Sequence, residues 1–64
     1  MNNIRFYRVL NKFSLEKFAR ECGFSIGALS YYENGKTDPS YKRCKIMANV
    51  LGVSVFDLME KKVG

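Results

Sequence analysis

The sequence predicts an all-α protein of five short helices, and three observations carry that expectation. Apolar residues recur at helical spacings of three and four in successive segments, and no segment alternates with period two for long enough to form a strand. Serines stand where helices would begin, at Ser14, Ser25, Ser40 and Ser54, and glycines where they would stop, at Gly23, Gly35 and Gly52. The chain has 64 residues, close to the lower limit for a core without disulfide or metal staples, so one domain over 1–64 is expected.

The first helix is expected over residues 3–12, with Asn2 or Asn3 as its N-cap and Ile4, Tyr7, Arg8 and Asn11 on one face. Its opposite face carries Phe6, Val9 and Leu10. A helix apolar on both sides either meets a partner or extends a wide core face, and both readings stay open. In the second helix, opened by Ser14, residues Leu15, Phe18, Ala19 and Cys22 recur at i, i+3, i+4 and i+7. Gly23 supplies a turn at positive φ, Phe24 an apolar plug, and Ser25 a cap for the third helix, which ends at Gly35. There Leu29 and Tyr32 face inward, while Ile26, Gly27, Ser30 and Tyr31 point away. Residues 14–34 therefore read as a helix-turn-helix whose outer face is uncharged, small and hydrogen-bonding, which suits a groove better than bulk water.

Residues 36–40 form an exposed connector, because Pro39 forces Asp38 out of the helical region and Ser40 caps again. The fourth helix is expected to run to about Leu51, with Tyr41, Cys44, Met47, Ala48 and Leu51 on its core face. Lys42, Arg43 and Lys45 crowd its start. Cations there oppose the helix dipole, an arrangement that makes more sense if an anion joins them. Ser54 and Asp57 have the spacing of a capping box and open a fifth helix ending near Glu60, after which Lys61, Lys62, Val63 and Gly64 are expected to fray.

Eleven Lys and Arg against six acidic residues give a net charge of +5, which favours a polyanion as partner, nucleic acid before anionic lipid. No apolar run approaches the ~18 residues of a membrane span, so no membrane association is expected. Asn2, Asn3, Arg5 and Arg8 interrupt any leader core, and a cytoplasmic protein with reduced thiols is expected. Cys22 and Cys44 fall on apolar faces and read as core packing, without N or S companions for a metal. There is no histidine, the carboxylates are scattered over helix surfaces, and no glycine-rich phosphate loop occurs, so neither an enzyme nor a bound cofactor, metal or small-molecule ligand is indicated.

Several pieces in fixed order carry a resemblance: Phe13-Ser14 before the second helix, Phe18-Ala19 and Cys22-Gly23 within and after it, and Ser25 with Leu29 in the third. Glu33-Asn34-Gly35-Lys36, Pro39-Ser40, and Ala48 followed by Leu51-Gly52-Val53-Ser54 complete the series. Over nearly its whole length the chain resembles the phage repressor and Cro family and the wider xenobiotic-response-element type of regulator.

The resemblance implies a lambda repressor-like five-helix fold, double-stranded DNA as partner, and the third helix in the major groove. By position, the base-facing residues it implies are Ile26, Gly27, Ser30 and Tyr31, with Ser25 and Ala28 near the sugar-phosphate edge. Asn34 and Lys36, and the amides of Ser40 and Tyr41 with Lys42 and Arg43 beside them, match the family's backbone-contacting region. For Asn34 a helix C-cap role stands beside that one. Leu15 occupies the place where the family commonly has a phosphate-binding glutamine. Arg8 and Glu33 match a pair of residues that in the family form an ion pair. The family commonly dimerises through helix five, which makes Val55, Phe56 and Met59 the implied interface, although Val55 and Leu58 are equally suited to closing the core. Phe6, Val9 and Leu10 form a rival patch. The alternative to a DNA-binding homodimer is a protein-interaction module of the antitoxin or antirepressor type on the same fold, and control by a regulatory protein partner fits either.

Overall fold

The structure is a computed structural model that describes residues 2–60. Five helices follow one another, α1 (Ile4–Leu10), α2 (Leu15–Cys22), α3 (Ile26–Glu33), α4 (Tyr41–Leu51) and α5 (Val55–Met59), with no strand among the described residues. The expected fraying beyond Glu60 lies outside them.

Four of the five helices start in the same way. The hydroxyls of Ser14, Ser25, Ser40 and Ser54 accept from the amides of Lys17, Ala28, Arg43 and Asp57 at 3.0–3.3 Å, so each satisfies one of the amides a helix start leaves without a partner. The start of α1 differs. Asn3 occupies the cap position without a side-chain cap bond, and it is the Asn2 Oδ1 that accepts from the Ile4 amide at 3.0 Å. Asn3 instead joins the start of α1 to the end of α5: its Nδ2 donates to the carbonyls of Asp57 and Glu60, and its amide to that of Leu58.

The helix ends share a motif as well. After α2, α3 and α4, a glycine at φ +70 to +78° reverses the chain, and the following amide reaches back five residues: Phe24 to Ala19, Lys36 to Tyr31, Val53 to Ala48. α1 ends on the same pattern, with Phe13 reaching back to the Arg8 carbonyl at 3.1 Å. Here the left-handed position holds Lys12, at φ +62°, a conformation that a Cβ disfavours.

The core is built from Ile4, Phe18, Ala19, Cys22, Leu29, Tyr32, Met47, Ala48, Leu51 and Leu58. α2 lies against α3 and α4, while α1 crosses α3, α4 and α5. Phe18 is fully buried and packs on Phe13 with ring centroids 5.6 Å apart. Leu58 closes the core from α5, and Val55 is partly buried beside it. Tyr41 departs from its expected core position, being 68 % exposed. It stands at the first position of α4, before Cys44, where the buried face of the helix begins. Phe6, Val9 and Leu10 also lie outside the core, at 46, 58 and 62 % exposure, because Ile4 alone in α1 is fully drawn inward. No helix is long and apolar enough to cross a membrane among the described residues.

Both cysteines are free and buried. Burial, reinforced by the Glu21 charge, pushes the Cys22 thiol up from 9.0 to about 11, and burial followed by Asp38 also raises Cys44. Below pH 9.0 the Cys22 thiol is protonated both folded and unfolded. Between there and about 11 the unfolded chain loses this proton while the folded chain keeps it, so stability is lost as pH rises through that window. In reductant, the midpoint of thermal unfolding is therefore expected to fall more steeply across it in the wild type than in Cys22→Ala. Equal slopes would show that Cys22 does not carry the loss. Lys12→Gly is expected to stabilise the fold by up to about 1 kcal/mol in urea unfolding by removing the Cβ from a left-handed position. No gain would show Lys12 to be unstrained.

Candidate nucleic-acid interface

α3 is short because both of its ends are defined by side chains. Ser25 opens it, and at its other end the Asn34 Nδ2 donates to the Ser30 carbonyl at 2.9 Å. Leu29 and Tyr32 face the core. The opposite face carries Ile26 and Tyr31, both exposed, with the bare backbone of Gly27 between them and Ser30 half-buried. A Cβ built on Gly27 would meet nothing within 4 Å, so glycine is not required there by the packing of the free protein. Of the other residues assigned to this side, Ser25 is exposed and Ala28 is partly turned into the core.

The orientation of α3 is set by charge. Glu33, on the last turn, has a side chain only 2 % exposed and accepts from Arg8 Nε at 2.6 Å and Arg8 Nη2 at 3.2 Å. The third guanidinium nitrogen, Nη1, donates to the Phe13 carbonyl at 2.8 Å. Arg8 thus joins α1, the α1–α2 connector and the end of α3 with one planar group, which satisfies a charge pair in a site that excludes water. Arg5 adds a second cation: its Nε lies 3.2 Å from Glu33 Oε1, and its Nη2 donates to Asn34 Oδ1 at 3.0 Å. Sequence reasoning passed over Arg5, although its place three residues before Arg8 put both on neighbouring turns of α1. Asn2 was also missed in this role. Its Nδ2 donates to the Tyr32 carbonyl at 2.8 Å, a second tie from the start of α1 to the end of α3.

The basic residues around α3 fall into two groups. Lys36 and Lys42 are exposed and form no ion pair among the described residues. Arg43 is held internally, with Nη1 donating to the Tyr32 hydroxyl at 2.9 Å and its guanidinium 4.6 Å above the Phe24 ring. It clamps the α2–α3 turn to α4, so much of its charge is directed inward. Lys45 lies 5.2 Å over the exposed Tyr41 ring, while the Ser40 hydroxyl caps α4. Asn34 has both side-chain groups engaged within the fold, the amide on Ser30 and the carbonyl on Arg5. Leu15, at the start of α2, packs on the core and offers no polar group there.

Val55, Phe56 and Met59 are not equivalent. Phe56 is exposed, and Val55 and Met59 are partly buried against the core. Among the described residues no cluster of His, Cys, Asp and Glu is arranged to hold a metal ion.

Arg8→Met leaves the buried Glu33 with Arg5 alone and is expected to cost about 3 kcal/mol or more in urea unfolding. Arg8→Met combined with Glu33→Leu is expected to cost less than either change singly, since no uncompensated charge remains. Strict additivity would show that the two side chains are energetically independent.

Comparison with known proteins bears on the fold and the family. Residues 4–58 match the model of the helix-turn-helix family. An uncharacterised HTH-type transcriptional regulator of Methanocaldococcus jannaschii is 33% identical over 57 residues, covering 89% of this chain and 86% of that protein. The crystal structure of the hypothetical transcription factor NHTF from Neisseria superposes with a TM-score of 0.82 at 32% identity, over 89% of this chain. The chain spans 66% of the length of that structure. The five helices, the glycine turn between α2 and α3 and this match over nearly the whole length lead to one conclusion: the chain belongs to the Cro/C1-type helix-turn-helix family of transcriptional regulators.

Proposed function

We propose that the protein is a sequence-specific regulator of transcription that works in the cytoplasm as a homodimer on a near-palindromic DNA operator, with half-site centres roughly 34–36 Å apart. The observation that carries this reading is the pairing of an exposed, uncharged outer face on α3 with two lysines, Lys36 and Lys42, that the fold itself does not neutralise. α3 would enter the major groove with Lys36 and Lys42 on the flanking phosphates.

The chemistry of the face limits what it reads. Ile26, Gly27, Ser30 and Tyr31 include no Arg, Gln or Asn, so the bidentate pairings worth ~1–3 kcal/mol of discrimination are missing. Ile26 suits a thymine methyl, the Ser30 and Tyr31 hydroxyls suit base edges or phosphates, and Gly27 allows the backbone to approach closely. Specificity then leans on methyl contacts, groove shape and water.

Dimerisation through α5 fits the charge distribution. Two copies of a chain with net charge +5 repel, but residues 46–60 contain no basic side chain and two acidic ones, Asp57 and Glu60. Phe56 is exposed on this stretch, and an open, mainly apolar groove of about 490 Å³ is lined by Lys45, Ile46, Ala48, Asn49, Val53 and Val55. An exposed ring and an apolar groove on one surface are the pieces of a self-complementary contact.

Fluorescence anisotropy on duplexes selected from a random pool tests the reading. Binding is expected to weaken linearly in log–log terms with salt, and Lys36→Ala to reduce that slope by about 1 while weakening all sequences alike. Gly27→Ala is expected to stabilise the free protein by about 1 kcal/mol yet weaken DNA binding, since its methyl occupies the closest approach. Absence of salt-sensitive binding to any duplex would sink the proposal. Function that survives Lys36→Glu with Lys42→Glu would favour a protein-interaction module instead.

A further inference from the structure

The outward side of α1 is an apolar face that the core does not use. Phe6, Val9 and Leu10 follow one another at i, i+3 and i+4, and with Arg5 they line an open groove of about 410 Å³. Phe6 stands edge-on to Tyr7 with ring centroids 5.1 Å apart. Exposed apolar ridges of this kind mark contact sites.

Size and charge together specify the occupant. The exposed parts of these three side chains amount to something on the order of 300 Å², well short of the ~800 Å² that each partner contributes to a standard stable interface. A second copy held by this face alone would not persist, whereas a short helical segment laid into the groove needs only a few anchors at helical spacing. The charge beside the groove is net positive: Arg5 lines it and Lys12 follows α1, while Glu33 offsets one of the two charges of Arg5 and Arg8.

We propose that this face docks an acidic amphipathic helix of a partner protein, its apolar residues lying against Phe6, Val9 and Leu10 and its carboxylates meeting Arg5 and Lys12. Arg5 connects the site to the rest of the molecule. Its side chain is 59 % exposed and bonds both Glu33 and Asn34 at the end of α3. Arg8 holds Glu33 independently at 2.6 Å, so Arg5 can turn to a partner carboxylate without leaving Glu33 unpaired. The groove and the end of the reading helix therefore share one movable side chain.

The test is selection of a displayed random-peptide library on the full chain, with counter-selection on Val9→Glu/Leu10→Glu, followed by anisotropy of the selected peptides. Circular dichroism establishes that the variant is folded. Peptides with apolar residues at i, i+3 or i+4 and Asp or Glu between them are expected, binding the variant about tenfold or more weakly. Replacing their acidic residues by amides is expected to weaken binding to the wild type and to matter less in Arg5→Gln. A neutral or basic consensus, or equal binding to the variant, would overturn the proposal. So would loss of self-association in Val9→Glu/Leu10→Glu by sedimentation, which would make the face a self-interface. Binding to anionic phospholipid vesicles in place of any peptide, abolished in the same variant, would assign it to a lipid surface.

Discussion

The buried carboxylate of Glu33 is the constraint on which the arrangement of the helices depends. With a side chain only 2 % exposed, it has given up water, and a charge in that position is tolerated only with cations and hydrogen bonds in place of the lost hydration. Both cations come from α1, as Arg8 and Arg5. α1 must therefore lie across the end of α3, and the Arg8 bond to the Phe13 carbonyl fixes the connector into α2 at the same time. Apolar packing tolerates small slides and rotations of one helix on another. A bidentate guanidinium–carboxylate pair does not, because its two bonds require coplanar groups. The orientation of α3 is thus set by polar geometry laid over a hydrophobic core.

The same arrangement sorts the positive charge. Arg8 and Arg5 are taken up by Glu33, and Arg43 by Tyr32 and Phe24, whereas Lys36 and Lys42 form no ion pair among the described residues. Lysine binds phosphate as a point charge, without the fork geometry that arginine brings to base edges. The cations left on that side suit backbone attachment, and the outer face of α3 is correspondingly apolar and hydroxylic. The stretch from Ile46 to Glu60 contains no basic residue, with Lys45 before it and Lys61 and Lys62 after it.

Legibility in the sequence followed the range of the interaction. The serine caps and glycine ends depend on atoms within three to five residues, and all four serines and three glycines sit where local chemistry placed them. Lys12 was not legible as a helix end, because nothing in a lysine announces a left-handed φ; the motif is imposed on it by the turn into Phe13. Tyr41 had the right spacing for the core but precedes the buried part of α4, which begins at Cys44, and helical periodicity carries no information about where a neighbouring element stops. Arg43 looked like a surface cation beside two others. Only the approach of Phe24 and Tyr32 from other segments shows that it is a clamp.

By itself the sequence determined the helical class, the order of the five helices and their caps, the helix-turn-helix at residues 14–34 and the uncharged character of its outer face, since these follow from periodicity and from residues near one another in the chain. The family pattern also pointed to Arg8 and Glu33. The tertiary structure alone decided that Arg5 and Asn2 join that tie, that Asn3 links α1 to the end of α5, that Phe6, Val9 and Leu10 stay outside the core, and that Lys36 and Lys42 form no ion pair among the described residues. Each of these depends on groups separated by many residues. Their distances are set by how whole helices pack, and packing is a property of all five helices together rather than of any one segment.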